Sequence, residues 1–325
     1  MAVVFGYAAI YLIWGSTFLA IRIAVGSIPP LLMMGARCAT AGALLVAWAA
    51  IRGERATARQ WGHAVIAGAL MFGCAYGALA WAEQRIPSGV AALIVATLPL
   101  WVTSIEWLQR GARPSLPGLL GVATGFGGVA LLVLRGGGAP LALLPMAIVA
   151  LGEGAWAVGS LYARPPRLPK PVALNAGMPL LAGGAVLVAA SWIGRELPAF
   201  HVREVTTASL AALGYLVVFG SIVAFSAYSW LLQVSPAWRV GTHAYVNPLI
   251  AVALGAAVGG EPLSGALVAS ALVITGSVAM ILTERTAPPP RPAFTARRAA
   301  PRLRETRQPG PAYTAPKKRP GPTMA

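Results

Sequence analysis

The sequence predicts an all-α membrane protein: ten transmembrane helices in two inverted five-helix repeats, with both termini cytoplasmic. Three observations carry this expectation. Of 325 residues, 57% are hydrophobic and 10% are charged, whereas a soluble globular domain carries about 25% charged residues. Apolar runs recur that are long enough to cross a hydrocarbon core about 30 Å thick, which takes roughly 20 residues. Finally, Trp81, Gln84, Pro87, Pro99 and Leu100 return 149 positions later as Trp230, Gln233, Pro236, Pro248 and Leu249.

The ten spans are placed near 3–21, 31–51, 62–81, 88–107, 117–134, 141–162, 172–193, 207–232, 239–259 and 264–283. Pro, Gly or charge bounds each run. Pro29-Pro30 separates the first two, Arg52 to Arg59 the next pair, Pro114 to Pro117 the fourth from the fifth, and Arg164 to Pro171 the sixth from the seventh. Such residues end helices. The short linkers predict antiparallel hairpins between consecutive spans.

The repeat register continues without a gap through Ser115, Gly127, Val129 and Ala130, which return as Ser264, Gly276, Val278 and Ala279. A slightly shorter offset pairs Trp14, Leu19 and Arg22 with Trp156, Leu161 and Arg164. The implied units are residues 1–136 and 139–284, followed by a tail at 285–325. Each unit holds five spans. Because five is odd, the second copy enters the membrane upside down relative to the first, as in transporters whose halves rock around a midplane site.

Orientation follows the Lys and Arg bias of the loops. With the N-terminus inside, cytoplasmic loops hold Arg52, Arg55, Arg59, Arg110, Arg113, Arg164, Arg167, Lys170 and Arg239, against Arg22, Arg85, Arg135, Arg195 and Arg203 outside. The net charge of +16 does not indicate nucleic-acid binding, since ten of the 25 basic residues lie in 284–325 beside ten Pro. That composition forms no packed core, and it reads as a disordered cytoplasmic anchor drawn to anionic headgroups. Cys38 and Cys74 fall in apolar runs and read as small buried side chains rather than a disulfide framework. The first apolar run lacks a basic leader and is expected to stay as a span.

Several residues are candidates for a substrate or proton pathway. There is no Asp in the chain, and Glu153 lies mid-way along the sixth span. A carboxylate at bilayer depth is costly and faces a cavity or a partner. It suits proton coupling or a cationic ligand; the plainer account is a helix-tying hydrogen bond. Arg37, about two turns into the second span, would attract a carboxylate or pair with Glu153, unless it snorkels. Glu106 and His243 lie nearer span ends and read as packing residues. Pro99 and Pro248 occupy equivalent places; each removes a backbone N–H, frees the carbonyl of Val95 or Ala244, and allows a kink. Freed carbonyls need protein or cavity water, so both kinks, with Tyr245 and Asn247, are placed beside a central space. Trp14, Trp156, Tyr11, Tyr76 and Tyr228 offer it an aromatic lining, whereas Trp81 and Trp230, at span ends, fit an interfacial belt. The pairs Gly121 with Gly125 and Gly255 with Gly259 are small-residue packing signals.

Absences exclude other classes. No GxxxxGK[ST] encodes an ATP motor, no HExxH a metalloprotease, and no Arg ladder a voltage sensor. No catalytic residue, metal site or cofactor is expected.

Three groups of motifs resemble one family. Tyr11-Leu12-Ile13-Trp14-Gly15-Ser16-Thr17-Phe18-Leu19-Ala20-Ile21-Arg22 resembles the first-helix motif of the EamA-type branch of the drug/metabolite transporter superfamily, and Pro29-Pro30 with Gly35-Ala36-Arg37 its second-helix pattern. Ala82-Glu83-Gln84, Pro87-Ser88-Gly89 and Ala96-Thr97-Leu98-Pro99-Leu100 are similar to its third-to-fourth hairpin. Thr242-His243-Ala244-Tyr245-Val246-Asn247-Pro248 and Gly259-Gly260-Glu261-Pro262-Leu263 are similar to its ninth helix and the turn after it. The resemblance implies ten helices in inverted repeats, a central cavity open alternately to each side, and export of small metabolites or drugs across a bacterial inner membrane. Glu153 matches no family motif, and the tail lies outside the shared core.

The expected protein is thus a multi-pass inner-membrane exporter of small metabolites, amino-acid-like compounds or drugs. Proton antiport through Glu153 is its energy source, its partners are a small molecule, the bilayer and protons, and a homodimer is left open. An uncoupled importer or facilitator, or a receptor or scaffold working through the basic tail, is the alternative.

Overall fold

The computed structural model describes residues 1–110, 116–135, 143–163, 167–235, 240 and 243–283. The tail from 284 onward, and with it the reading of that segment as an anchor, lies outside the described residues.

Starts and stops follow local chemistry. Helix α1 spans Ala2–Ala24 and α2 spans Pro30–Ile51, with Pro30 in its first turn, where a missing N–H costs nothing. The third rod opens at α3, Ala58–Gly68, under a capping box: the Thr57 side chain accepts from Gln60 N while Gln60 accepts from Thr57 N. This reciprocal pair satisfies two orphan donors. The rod widens into a π-helical stretch, π1, at Ala69–Tyr76, and closes as α4, Gly77–Ala82.

The fourth rod is broken. Helix α5, Ser88–Val95, stops at Ala96-Thr97, and α6, Leu98–Arg110, starts afresh. The kink expected at Pro99 is therefore a full break one turn earlier. Pro99 becomes the second residue of a new helix, a position that needs no N–H, and the Thr97 hydroxyl donates to Ile94 O at 2.6 Å.

Helices α7 (Leu116–Arg135), α8 (Leu143–Tyr162) and α9 (Val172–Ile193) follow. A short α10, Glu196–Ala199, precedes the eighth rod. That rod runs from α11 (Thr207–Tyr215) through a second π-helical stretch, π2 (Leu216–Val223), into α12 (Ala224–Val234). The last two helices are α13, His243–Ala257, with Pro248 inside it, and α14, Gly265–Thr283.

No strand occurs among the described residues. Among the described residues, seven helices are long and apolar enough to cross a membrane, and shorter apolar helices lie at Gly118–Gly128, Val246–Ala257 and Gly265–Ser277.

The rods pack in crossed pairs. Helix α2 lies along α9 and α7 along α14; α1 meets α12 and α13, while α8 meets π1, α5 and α6. Each pairing joins a helix before residue 136 to one after 142. The α2–α9 seam is backbone on backbone: a Cβ at Gly42 would fall on the Leu181 amide nitrogen, and one at Gly184 on Ala39 N. Without a hydrophobic drive between helices in lipid, such close approach supplies the dispersion contacts that hold them. Of the glycine pairs singled out in the sequence, Gly125 does allow a close approach, to Leu100 of α6 and Ser277 of α14, whereas Gly255 abuts the Glu261 carboxylate.

Cys38 is buried as expected, but Cys74 is exposed on the outer face of the bundle. An apolar run in a membrane protein has a lipid-facing side as well as a core side, and period alone does not tell them apart.

Candidate central cavity

The crossed packing leaves a cavity of about 80 Å³ between the helices. Trp14 and Thr17 reach it from α1, Arg37 from α2, Tyr76 from the end of π1, and Glu153 and Trp156 from α8. Tyr228 comes from α12, and His243, Asn247 and Pro248 from α13. Eight of the sequence candidates thus converge from six rods: Trp14, Arg37, Tyr76, Glu153, Trp156, Tyr228, Asn247 and Pro248. Pro99 does not reach the wall, where its neighbours Ala96 and Leu98 stand instead. Tyr11 lies beside the space: its ring packs on Tyr7 with centroids 5.9 Å apart. The side chains of Tyr245 and Glu106 lie outside the described residues.

Arg37 is 1% exposed, so the snorkelling account fails. Its Nε donates to Ser221 Oγ at 2.9 Å, its Nη1 reaches Met34 Sδ at 3.6 Å, and its Cζ sits 4.9 Å above the Tyr76 ring. Among the described residues it makes no ion pair, and in particular none with Glu153. A buried guanidinium held by a hydroxyl and an aromatic face retains donors for an incoming anionic group.

Glu153 is 5% exposed, and the stacked rings of Tyr76 and Trp156, 5.2 Å apart at 23°, stand in the same wall. The cavity therefore holds one permanent cation and one carboxyl without a counter-ion between them. Such a pair of groups in an apolar wall orients a ligand.

Aromatic rings form two clusters. Trp14 contacts Tyr228 at 5.0 Å and His243 at 5.1 Å; Phe72 contacts Tyr76 at 5.2 Å and Trp156 at 5.5 Å. Phe72 and Phe225, 5.4 Å apart, join them. His243, the first residue of α13, thus packs on Trp14 and Tyr228 and also stands in the cavity wall. The Asn247 side-chain amide lies 3.2 Å from His243 O and from Tyr11 O; since both are acceptors, the amide nitrogen is assigned to that side and donates to them. It ties the Pro-bearing helix to α1.

Sequence reading missed the contribution of π2. Trp14 Nε1 donates to Gly220 O at 3.1 Å, and the next residue, Ser221, holds Arg37. A π turn shifts the i→i−4 ladder and leaves backbone groups available, and such bulges concentrate at functional sites. A Cβ at Gly220 would meet Arg37 Nη2 and Thr17 Cγ2 at 3.0 Å each, so the guanidinium fits because this position is Gly. The available signal was Gly73 and Gly220, which sit near the repeat register within π1 and π2.

Comparison with known proteins agrees with this architecture. The EamA-like transporter family model matches residues 1–134 and again 141–283. The chain is 40% identical over 263 residues to the uncharacterized inner membrane transporter YedA of Escherichia coli K12, covering 79% of this chain and 82% of that one. It is 24% identical over 280 residues to a probable amino-acid metabolite efflux pump of Salmonella typhimurium LT2, covering 82% and 89%. A crystal structure at 23% identity superposes with a TM-score of 0.61 over 86% of this chain and 96% of that one, which shows the fold. The chain is a multi-pass inner-membrane protein and a transporter of small molecules, and it belongs to the EamA-like transporter family.

Proposed function

We propose that the protein is a secondary active exporter of small amphipathic metabolites, amino-acid-like compounds foremost, working by alternating access. The observation that carries this reading is the cavity wall itself. Arg37 presents buried donors to a carboxylate, and Glu153 with the Trp14, Trp156 and Tyr228 rings faces an ammonium or apolar portion. Aromatic faces attract desolvated cations with about 2 kcal/mol or more. The name of the Salmonella relative points to the same substrate class.

The helical rods read as ten spans in two inverted units, 1–136 and 139–284, with both termini cytoplasmic. The crossed pairs support the inverted repeat, since advancing every rod by five places turns the α1 pairings with α12 and α13 into those of α8 with π1 and with α5 and α6, and returns α2–α9 and α7–α14 to themselves. Rocking of two such units exposes the cavity to each side in turn. Proton antiport through Glu153 couples the cycle.

Counterflow of radiolabelled amino acids in proteoliposomes tests the reading, with and without an imposed pH gradient. Glu153→Gln is expected to retain exchange and lose pH-driven accumulation. Unchanged flux and unchanged pH dependence in that variant would overturn the coupling role.

A further inference from the structure

Away from the cavity, toward the loops between α1 and α2, three charged residues meet. Arg22 closes α1, Glu83 follows α4, and Glu261 lies in the turn between α13 and α14. Glu261 is fully engaged. Its Oε1 accepts from Ser88 N at 2.8 Å and Ser88 Oγ at 2.7 Å, its Oε2 accepts from Gly89 N at 3.2 Å, and Arg22 Nε lies 3.4 Å from Oε1. Arg22 also donates to Ile86 O at 2.8 Å. This lattice clamps α1 and the α4–α5 turn to the α13–α14 turn, closing the bundle on that face.

Glu83 stands inside the clamp without a share in it. It is 1% exposed, and neither carboxyl oxygen meets a hydrogen-bond partner. A crevice lined by Arg22, Val25, Gly26, Glu83 and Gln84 runs to it. An ionised carboxylate there would be buried beside the carboxylate of Glu261, whose cation is already engaged. A neutral acid avoids that penalty. Burial first and Glu261 second push the Glu83 carboxyl well above the usual range, against the opposing pull of Arg22 and Arg37. Helix α8, packed along α4, carries Glu153, which faces the cavity instead.

We infer that Glu83 is a proton-binding site built into this clamp: it holds a proton while the face is closed and releases it to water when the clamp opens. The closed state then binds one proton more than the open state. Closure is therefore favoured at low pH and weakens as pH rises through the closed-state value. The inference rests on the transport reading only in that the clamp is taken to open during turnover.

The test is the distance between spin labels at Gln84 and Leu263, both exposed, in the full chain carrying Cys74→Ala in lipid nanodiscs. No substrate is needed. As pH rises, the wild type should gain a longer-distance population, with its midpoint above the ordinary carboxylate range. Glu83→Gln should stay at the short distance at every pH, and Glu204→Gln, which alters an exposed carboxyl outside the cavity and the clamp, should titrate like the wild type. A Glu83→Gln variant that still titrates, or a wild type that never responds, overturns the inference. If Glu83→Gln does not fold, difference infrared spectra decide. The wild type should show a protonated-carboxyl C=O band that disappears on raising pH and shifts in Glu83→Asp, and absence of that band overturns the inference equally. A chain that transports none of the proposed substrates would sink the exporter reading and leave this distance readout standing.

Discussion

Arg37 on α2 and Ser221 on π2 are joined across 184 residues by a single buried hydrogen bond of 2.9 Å. It fixes the only guanidinium in the cavity wall among the described residues. The hydroxyl is available because the π turn carries Ser221 toward the bundle centre, directly after the carbonyl that receives Trp14. Ser221→Ala would leave a buried, charged donor without its partner, a loss of about 1.5–3 kcal/mol. Thermal unfolding in detergent should fall accordingly, and an unchanged midpoint would mean the bond contributes nothing.

Arg37→Gln should separate binding from folding. If a substrate carboxylate lies on the guanidinium, removing the charge-assisted bonds should raise KM for carboxylate-bearing substrates by about tenfold or more. Uncharged analogues should be transported as before. Equal effects on both would point to a structural role alone.

The α2–α9 seam predicts a steep size dependence. Gly42→Ala places a methyl on the Leu181 backbone, and overpacking of this kind costs about 1–3 kcal/mol. Gly62→Ala, where a Cβ meets nothing within 4 Å, is the control. It should be neutral or mildly stabilising, as helix propensity directs. Monodisperse yield and thermal midpoint of the two variants should diverge.

Glu261→Ala removes the acceptor for Ser88 and Gly89 together with the Arg22 partner. The orphaned buried donors cost about 1–3 kcal/mol, while Arg22→Ala, with its side chain 39% exposed, should cost no more than about 1 kcal/mol. Cysteine labelling at Gln84 should accelerate strongly in the first variant and little in the second. The reverse order would show that the ion pair, rather than the cap, holds the turn.

Deleting residues 287–325 should leave flux in proteoliposomes unchanged, because the family match ends at 283. Loss of flux would instead support a working role for the basic tail.

Much of the site was readable in advance, for a definite reason. Ionisable residues at bilayer depth are expensive unless they face a cavity or a partner, so Glu153 and Arg37 announced themselves by their cost, and Trp14 and Trp156 by lying deeper than an interfacial belt. Ser221 and Gly220 carried no such mark, since Ser and Gly sit comfortably in any membrane helix. Glu83 lies in a stretch similar to a family hairpin motif, just past the third apolar run, and nothing in the sequence sets it apart. Its isolation depends on Glu261, 178 positions on, taking Arg22 for itself.

The chain's composition and internal spacing alone determined an apolar helical bundle of repeated units, because hydropathy is a property of each segment taken by itself. Which face of each helix meets lipid, where the ladder slips into π turns, and which of three neighbouring charges is left unpaired were decided by tertiary packing. Cys74 on the outside, Pro99 behind the wall and His243 within it all depend on how one rod is rotated against another. That rotation is set by backbone contacts such as Gly42 on Leu181 and Gly184 on Ala39. No single segment contains that information.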